Sequence, residues 1–284
     1  MNHIYIPFPN LNPIVFSIGK ISLHWYGIMY LLGLFFALYI GKKKIKKNNK
    51  WTQEEIENLI YNCFFALLIG GKLGYIIFYN PSYYLNNINN IFKIWEGGMS
   101  FHGGFIGVII AIFFFSKKTK KPFLQITDFI APLVPFGLGA GRIGNFINGE
   151  LWGRISTNMP LSMLFPGSKA IDLMLSDSNK ELQILIQKFG LLPRHPSQIY
   201  EFFLEGVILF IILHWFSKIK TKEGTISAIF LISYGILRII AEFFRQPDPQ
   251  IGLLFGIITM GQILSCPMII IGIAIIIKSY IKYI

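Results

Sequence analysis

The segment GAGRIGNFINGELWGR, residues 139–154, gathers Arg142, Asn145, Asn148, Glu150 and Arg154 among glycines, directly after a long apolar run. A guanidinium is a planar fork of N–H donors that grips a phosphate through two parallel hydrogen bonds, which a lysine ammonium cannot do. Glycines beside it let the backbone and short polar side chains come close to a bound group. At the end of an apolar run, the abundant phosphate is that of a phospholipid.

A second set lies in YGILRIIAEFFRQPD, residues 234–248. Tyr234, Arg238, Glu242 and Arg245 recur at helical spacing and share one face. Arg238 and Glu242 could simply neutralise each other, although the arginine precedes the glutamate, the less favourable order along a helix. Gln198, Glu201 and Glu205, in RHPSQIYEFFLE, line one face of another apolar run. For Glu201 and Glu205, balancing the arginines and taking part in catalysis are both open. His102, in EGGMSFHGG, is bracketed by Gly97, Gly98, Gly103 and Gly104. Those glycines could break a helix around a site, and histidine is the usual general base near neutral pH. The alternative for His102 is a hydrogen-bonded structural residue, the role assigned to His3, His24, His195 and His214. Tyr26, in HWYGIMY, stands out by position. Ser100 precedes His102 by two residues, yet GMSFH lacks the closing glycine of a nucleophile elbow. No HExxH or carboxylate-cluster pattern points to a metal, and no cofactor is expected. Cys63 and Cys266 lack metal-like spacing and read as small core residues of two helices.

The elements that carry these residues follow from composition. Of 284 residues, 53% are hydrophobic and 14% charged, and the mean hydropathy is +0.55. A water-soluble domain of this length needs more charge, so the class is an all-α polytopic membrane protein. Apolar runs of roughly 20 residues, enough to cross a bilayer, number seven: about 21–41, 56–79, 98–116, 123–142, 198–217, 225–243 and 256–277. GGKLGY interrupts the second, and the third opens on a glycine-rich turn. The formal charge of +12 sits in short blocks between runs, KKKIKK at 42–47, KKTKK at 117–121 and KIKTK at 218–222. Such loops set topology and touch anionic headgroups, which argues against nucleic acid as a partner. Together with Lys278 and Lys282 they fall on one side, cytoplasmic by the positive-inside rule, with the N-terminus outside and the C-terminus cytoplasmic. One membrane domain over 1–284 then carries an outward-facing head at 143–196. The opening MNHIYIPFPNLNP lacks the basic n-region of a cleavable signal.

On that map Tyr26, His102, Arg142, Gln198 with Glu201, and Arg238 with Glu242 converge from five spans on the outer half of the bilayer. All five arginines, Arg142, Arg154, Arg194, Arg238 and Arg245, avoid the lysine blocks. Charge within a span faces protein or a wet cavity and marks function. A transporter would instead place charge near the midplane and show an internal repeat. An intramembrane serine protease using Ser100 is a second rival.

GRIGNFINGELWG, residues 141–153, resembles the signature of the prolipoprotein diacylglyceryl transferase family. YGIMY at 26–30, SFHGG at 100–104, HPSQIYE at 195–201 and YGILRIIAEFFRQPD at 234–248 are similar to that family's other segments, in order. The resemblance covers the chain apart from about 156–192, where no pattern is recognised. It implies transfer of the diacylglyceryl group of phosphatidylglycerol to the lipobox cysteine thiol of a prolipoprotein, giving a thioether and glycerol phosphate. It implies the bacterial inner membrane as location, with the site toward the outer leaflet. The functional positions that it carries over are Tyr26, His102, Arg142, Asn145, Glu150, Gly153, Tyr234, Arg238 and Glu242. With Asn148 added, this gives His102, Arg142, Arg238 and Tyr26 as catalytic, and Arg142, Asn145, Asn148, Glu150, Gly153, Tyr234 and Glu242 as lipid-binding. Arg142 and Arg238 are expected on the phosphate, His102 on the thiol proton, and Glu150 and Glu242 beside the arginines.

Overall fold

Among the described residues, seven helices are long and apolar enough to cross a membrane, running over Trp25–Ile45, Gln53–Phe78, Phe101–Thr119, Phe123–Ile147, Ser197–Phe216, Thr225–Glu242 and Met260–Ile281. They belong to a computed structural model that describes residues 5–19, 21–45, 51–79, 81–92, 98–247 and 252–281. The sequence readings on His3, Lys46, Lys47, Gly97, Asp248 and Lys282 lie outside the described residues. The chain is a mostly helical multi-pass membrane protein, and all seven expected spans are present.

Their ends differ from the apolar runs in physically intelligible ways. The first helix, α1 (Trp25–Ile45), starts four residues later than its run. Residues 21–24 instead form β3 (Ile21–His24), paired antiparallel with β2 (Ile14–Ile18) around Gly19 at φ +60°. The last helix, α12 (Met260–Ile281), starts after a tight turn in which Leu254 and Ile258 exchange backbone hydrogen bonds. GGKLGY does not interrupt α2 (Gln53–Tyr79), which runs through it unbroken.

Backbone packing divides the chain into two compact units, Leu34–Leu133 and Met1–Gly33 with Val134–Ile284. In the first, α2 packs on α4 (Phe101–Thr119) through facing glycines. A Cβ on Gly74 would stand 2.7 Å from Gly103 Cα. Small residues at four-residue spacing, Gly70 with Gly74 and Gly103 with Gly107, let helix backbones meet where lipid gives no hydrophobic drive to associate. Gly103 and Gly104, which follow His102, therefore serve helix contact, and α4 is continuous through them. At the lysine-rich end of this unit Glu57 pairs with Lys42 over 2.7 Å and Glu55 pairs with Lys121, whose ammonium also covers the Trp51 ring. The lysine blocks after the first and third spans thus each find an acidic partner at the start of α2, Glu57 and Glu55 respectively. Cys63 is buried as expected, whereas Cys266, in the other unit, is exposed on α12.

The second unit holds α6 (Val134–Ile147), α11 (Thr225–Glu242), α12 and one composite span. That span consists of α9 (Ser197–Glu201), a π-helical stretch over Phe202–Ile208 and α10 (Leu209–Phe216). Between α6 and α9 lie α7 (Lys169–Ser176) and α8 (Lys180–Phe189), with a small sheet. There β1 (Ile6–Pro7) pairs parallel with β4 (Met163–Leu164), which pairs antiparallel with β5 (Pro193–Arg194). The proline-rich N-terminal segment is thereby fixed, and Phe8 packs on Phe146 and Phe165. Phe146 belongs to the glycine-rich signature, so the sheet steadies the end of α6.

Candidate active site

Three helical elements meet at a cluster of charges inside the second unit. Gly139 on α6 crosses Gly206 on the π-helical stretch so closely that a Cβ on Gly206 would stand 2.8 Å from Gly139 Cα. One turn further along α6, Arg142 reaches Glu201 at 2.8 Å and Glu205 at 2.9 Å. Glu205 uses both oxygens: Oε2 accepts from Arg142 Nε and Nη2, and Oε1 accepts from Arg238 Nη1 over 3.1 Å. Arg238 also bonds Glu201 over 3.3 Å and pairs with Glu242 one turn along α11. Arg245 completes the group through Glu201, at 3.4 Å. π-Helical turns inside α-helices recur at functional sites, and this one carries Glu205.

Burial within the cluster is graded. Glu201 and Glu205 are 1% and 0% exposed, whereas the Arg142 and Arg238 side chains keep 17% and 14%. The carboxylates are thus buried more deeply than the arginine side chains that they bind. Three arginines and three glutamates cancel in charge, which removes the cost of burying like charges together. What remains for a ligand is directional: fixed N–H donors in a low-dielectric setting. Arg238 and Glu242 do pair, as the mutual-neutralisation reading expects, but within this larger network. Glu242 is held from the far side by α12, where a Cβ on Gly261 would collide with its carboxylate.

A second polar patch adjoins the first through the signature. Asn145 and Asn148 both donate to Glu150 Oε1, over 2.9 and 3.2 Å. Gln198 donates to the Glu150 carbonyl over 2.6 Å, and Ser197 to the Leu151 carbonyl over 2.9 Å. Gly144 admits the Tyr26 ring, whose Cδ2 would lie 2.8 Å from an added Cβ, and the Tyr26 hydroxyl is 3.4 Å from that of Tyr30. Tyr234 is buried and stacked on Phe230. Gly153 lies at a backbone crossing, with its N–H on the His195 carbonyl at 2.8 Å and no room for a Cβ between His195 and Phe244. Burial pushes the His195 imidazole below its usual range.

The profile of the prolipoprotein diacylglyceryl transferase family matches residues 13–278. The chain belongs to that family. It is 59% identical over 279 residues to the phosphatidylglycerol–prolipoprotein diacylglyceryl transferase of Buchnera aphidicola subsp. Baizongia pistaciae, covering 98% of this chain and 99% of that one. It is 52% identical to the enzyme of the same name from Serratia proteamaculans, over 99% and 97% of the two chains.

Within this prolipoprotein diacylglyceryl transferase chain the fold brings together Tyr26, Arg142, Asn145, Asn148, Glu150, Gly153, Tyr234, Arg238 and Glu242, all in one unit. His102 belongs to the other unit, second in α4, with its ring edge-on to Phe101 at 5.5 Å. The arginines divide. Arg142, Arg238 and Arg245 form the cluster, while Arg154 bonds the Arg245 carbonyl over 3.1 Å. Arg194 is fully buried against Asp172 and also donates to the Gly153 carbonyl and to Gln246. Asp172 and Gln246 escaped the sequence reading. The signal for Asp172 was a lone carboxylate in the apolar run AIDLML.

Proposed function

We propose that this chain transfers the diacylglyceryl group of phosphatidylglycerol to the cysteine thiol of a prolipoprotein lipobox, the first step of lipoprotein maturation. The observation that carries the reading is the pair Arg142 and Arg238, held side by side by Glu205, which accepts from each through a different oxygen. In the reaction the thiol sulfur bonds to the terminal glyceryl carbon as the bond from that carbon to the phosphate oxygen breaks. The electron pair leaves with the phosphate, so glycerol phosphate departs carrying an extra negative charge. Donors fixed before the reaction stabilise that charge without reorganising. Arg142 and Arg238 are assigned this role.

His102 is assigned the thiol proton. A thiol with pKa near about 8.5 is a weak nucleophile until deprotonated, and histidine suits that task near neutral pH. Because the thiol comes with the substrate, neither Cys63 nor Cys266 is required. Tyr26, Asn145, Asn148 and Glu150 are assigned to the headgroup, with Gly153, Tyr234 and Glu242 completing the lipid-binding set. The lysine pattern supports an inner-membrane protein whose residues 143–196 form an outward head, with the site toward the outer leaflet.

The test is product identity. Membranes carrying the protein, headgroup-labelled phosphatidylglycerol and a one-cysteine lipobox peptide are expected to yield a thioether-linked diacylglyceryl peptide and labelled glycerol phosphate. A peptide with serine for cysteine is expected to yield neither. Well-folded protein that forms no thioether would contradict the proposal.

A further inference from the structure

Two acceptor oxygens beside the arginine cluster are left unsatisfied by the protein. Asn148 Oδ1 and Gln198 Oε1 are buried atoms with no hydrogen-bond partner. Their amide nitrogens are engaged, Asn148 Nδ2 with Glu150 Oε1 at 3.2 Å and Gln198 Nε2 with the Glu150 carbonyl at 2.6 Å. Turning either amide over would set oxygen against oxygen, so the contacts fix both orientations. Buried acceptors without partners are rare in folded chains, and each calls for an explanation.

The position of this patch supplies one. Asn145 follows Arg142 by one turn of α6, and Gln198 precedes Glu201 by one turn of α9. Arg142 and Glu201 are in contact at 2.8 Å. Two elements joined at the cluster thus carry amides away from it, and those amides reconverge on Glu150. One end of the site offers guanidinium donors. The other offers acceptors, namely the Glu150 carboxylate and two amide oxygens. A phosphate is drawn to the first end and repelled by the carboxylate at the second. A group bearing hydroxyls fits the second, because O–H donors satisfy oxygens that the fold leaves without a partner.

We infer that Asn148 and Gln198 accept hydrogen bonds from the two hydroxyls of the glycerol headgroup and so select phosphatidylglycerol among anionic phospholipids. The inference rests on the substrate proposed above and adds Gln198 as a specificity residue. A site built to bond a hydroxyl rejects an analogue that lacks it, because its acceptors are then stranded.

The discriminating lipid is phosphatidylpropanol, which keeps the phosphodiester and the diacylglyceryl group but has no headgroup hydroxyl. Purified full chain in phosphatidylcholine vesicles carrying one lipid or the other is assayed for peptide lipidation. For the wild type, kcat/KM with phosphatidylglycerol is expected to exceed that with phosphatidylpropanol by about a hundredfold, about tenfold for each stranded acceptor. Gln198→Met and Asn148→Leu are each expected to shrink the ratio to about tenfold by slowing the phosphatidylglycerol reaction alone. A purely structural role would slow both lipids together and leave the ratio unchanged, which would overturn the inference. Equal use of both lipids by the wild type would also overturn it, while leaving the transferase reading intact. Absence of thioether product from either lipid would instead sink the transferase reading.

Discussion

Arg194 Nη2 lies 2.6 Å from Asp172 Oδ1, and neither side chain has any exposure. The other Asp172 oxygen accepts from Ser168 Oγ at 2.7 Å and from the Leu192 backbone N–H at 3.0 Å. One carboxylate therefore ties α7 to β5, and through Arg194 to Gly153 at the end of the signature. Removing one partner of a buried pair strands the other. Asp172→Ala is expected to cost about 3–5 kcal/mol, read as a lower unfolding temperature and faster proteolysis within residues 169–189.

The close crossing at Gly139 and Gly206 sets how far Arg142 stands from Glu205. Gly206→Ala puts a methyl against backbone, where no side chain can move aside. Forcing the helices apart is expected to cost about 1–3 kcal/mol. Transfer is expected to fall about a hundredfold, since small misplacements of catalytic groups are that costly. Chromatographic behaviour in detergent checks that the variant is folded.

Glu205 fixes the spacing of the two arginines with one oxygen each. Glu205→Gln keeps the volume but loses the charge, leaving three arginines against two glutamates. Its KM for phosphatidylglycerol is expected to rise about tenfold with KM for the peptide unchanged. Measured on diluted lipid, an unchanged lipid KM would remove Glu205 from the positioning of the arginines.

Ser100 and His102 separate the transferase from a serine hydrolase. Ser100 caps α4, accepting from the Gly103 N–H over 3.3 Å, and its own N–H bonds the Gly71 carbonyl. Ser100→Ala is expected to lose about 1 kcal/mol of stability and to keep transfer within severalfold of wild type. His102→Ala is expected to lose about 100-fold or more in rate. Full activity in His102→Ala would take this residue out of the mechanism.

Much of this was legible in the sequence for identifiable reasons. Arginine and carboxylate within apolar runs are expensive, so Arg142, Glu201, Glu205, Arg238 and Glu242 announced themselves, and helical spacing paired Arg238 with Glu242. Partners across helices were not legible. Nothing in the order of residues says that Glu205 bridges Arg142 and Arg238, because that depends on Gly139 meeting Gly206. Glycines misled in one respect. GGKLGY and FHGG read as breaks, yet they are contact surfaces inside intact helices, since glycine also lets backbones approach. The strand at residues 21–24 was hidden for a related reason: ISLH continues an apolar run, and only the turn at Gly19 pairs it back on residues 14–18.

The central claim is that a guanidinium fork at Arg142 holds the lipid phosphate. Arg142→Lys keeps the charge and removes the fork, so it tests geometry apart from electrostatics. Thioether formation from phosphatidylglycerol is to be measured in wild type and Arg142→Lys, with folding checked by thermal unfolding. The expected result is a loss of about a hundredfold or more in the folded variant. Wild-type rates in Arg142→Lys would contradict the account.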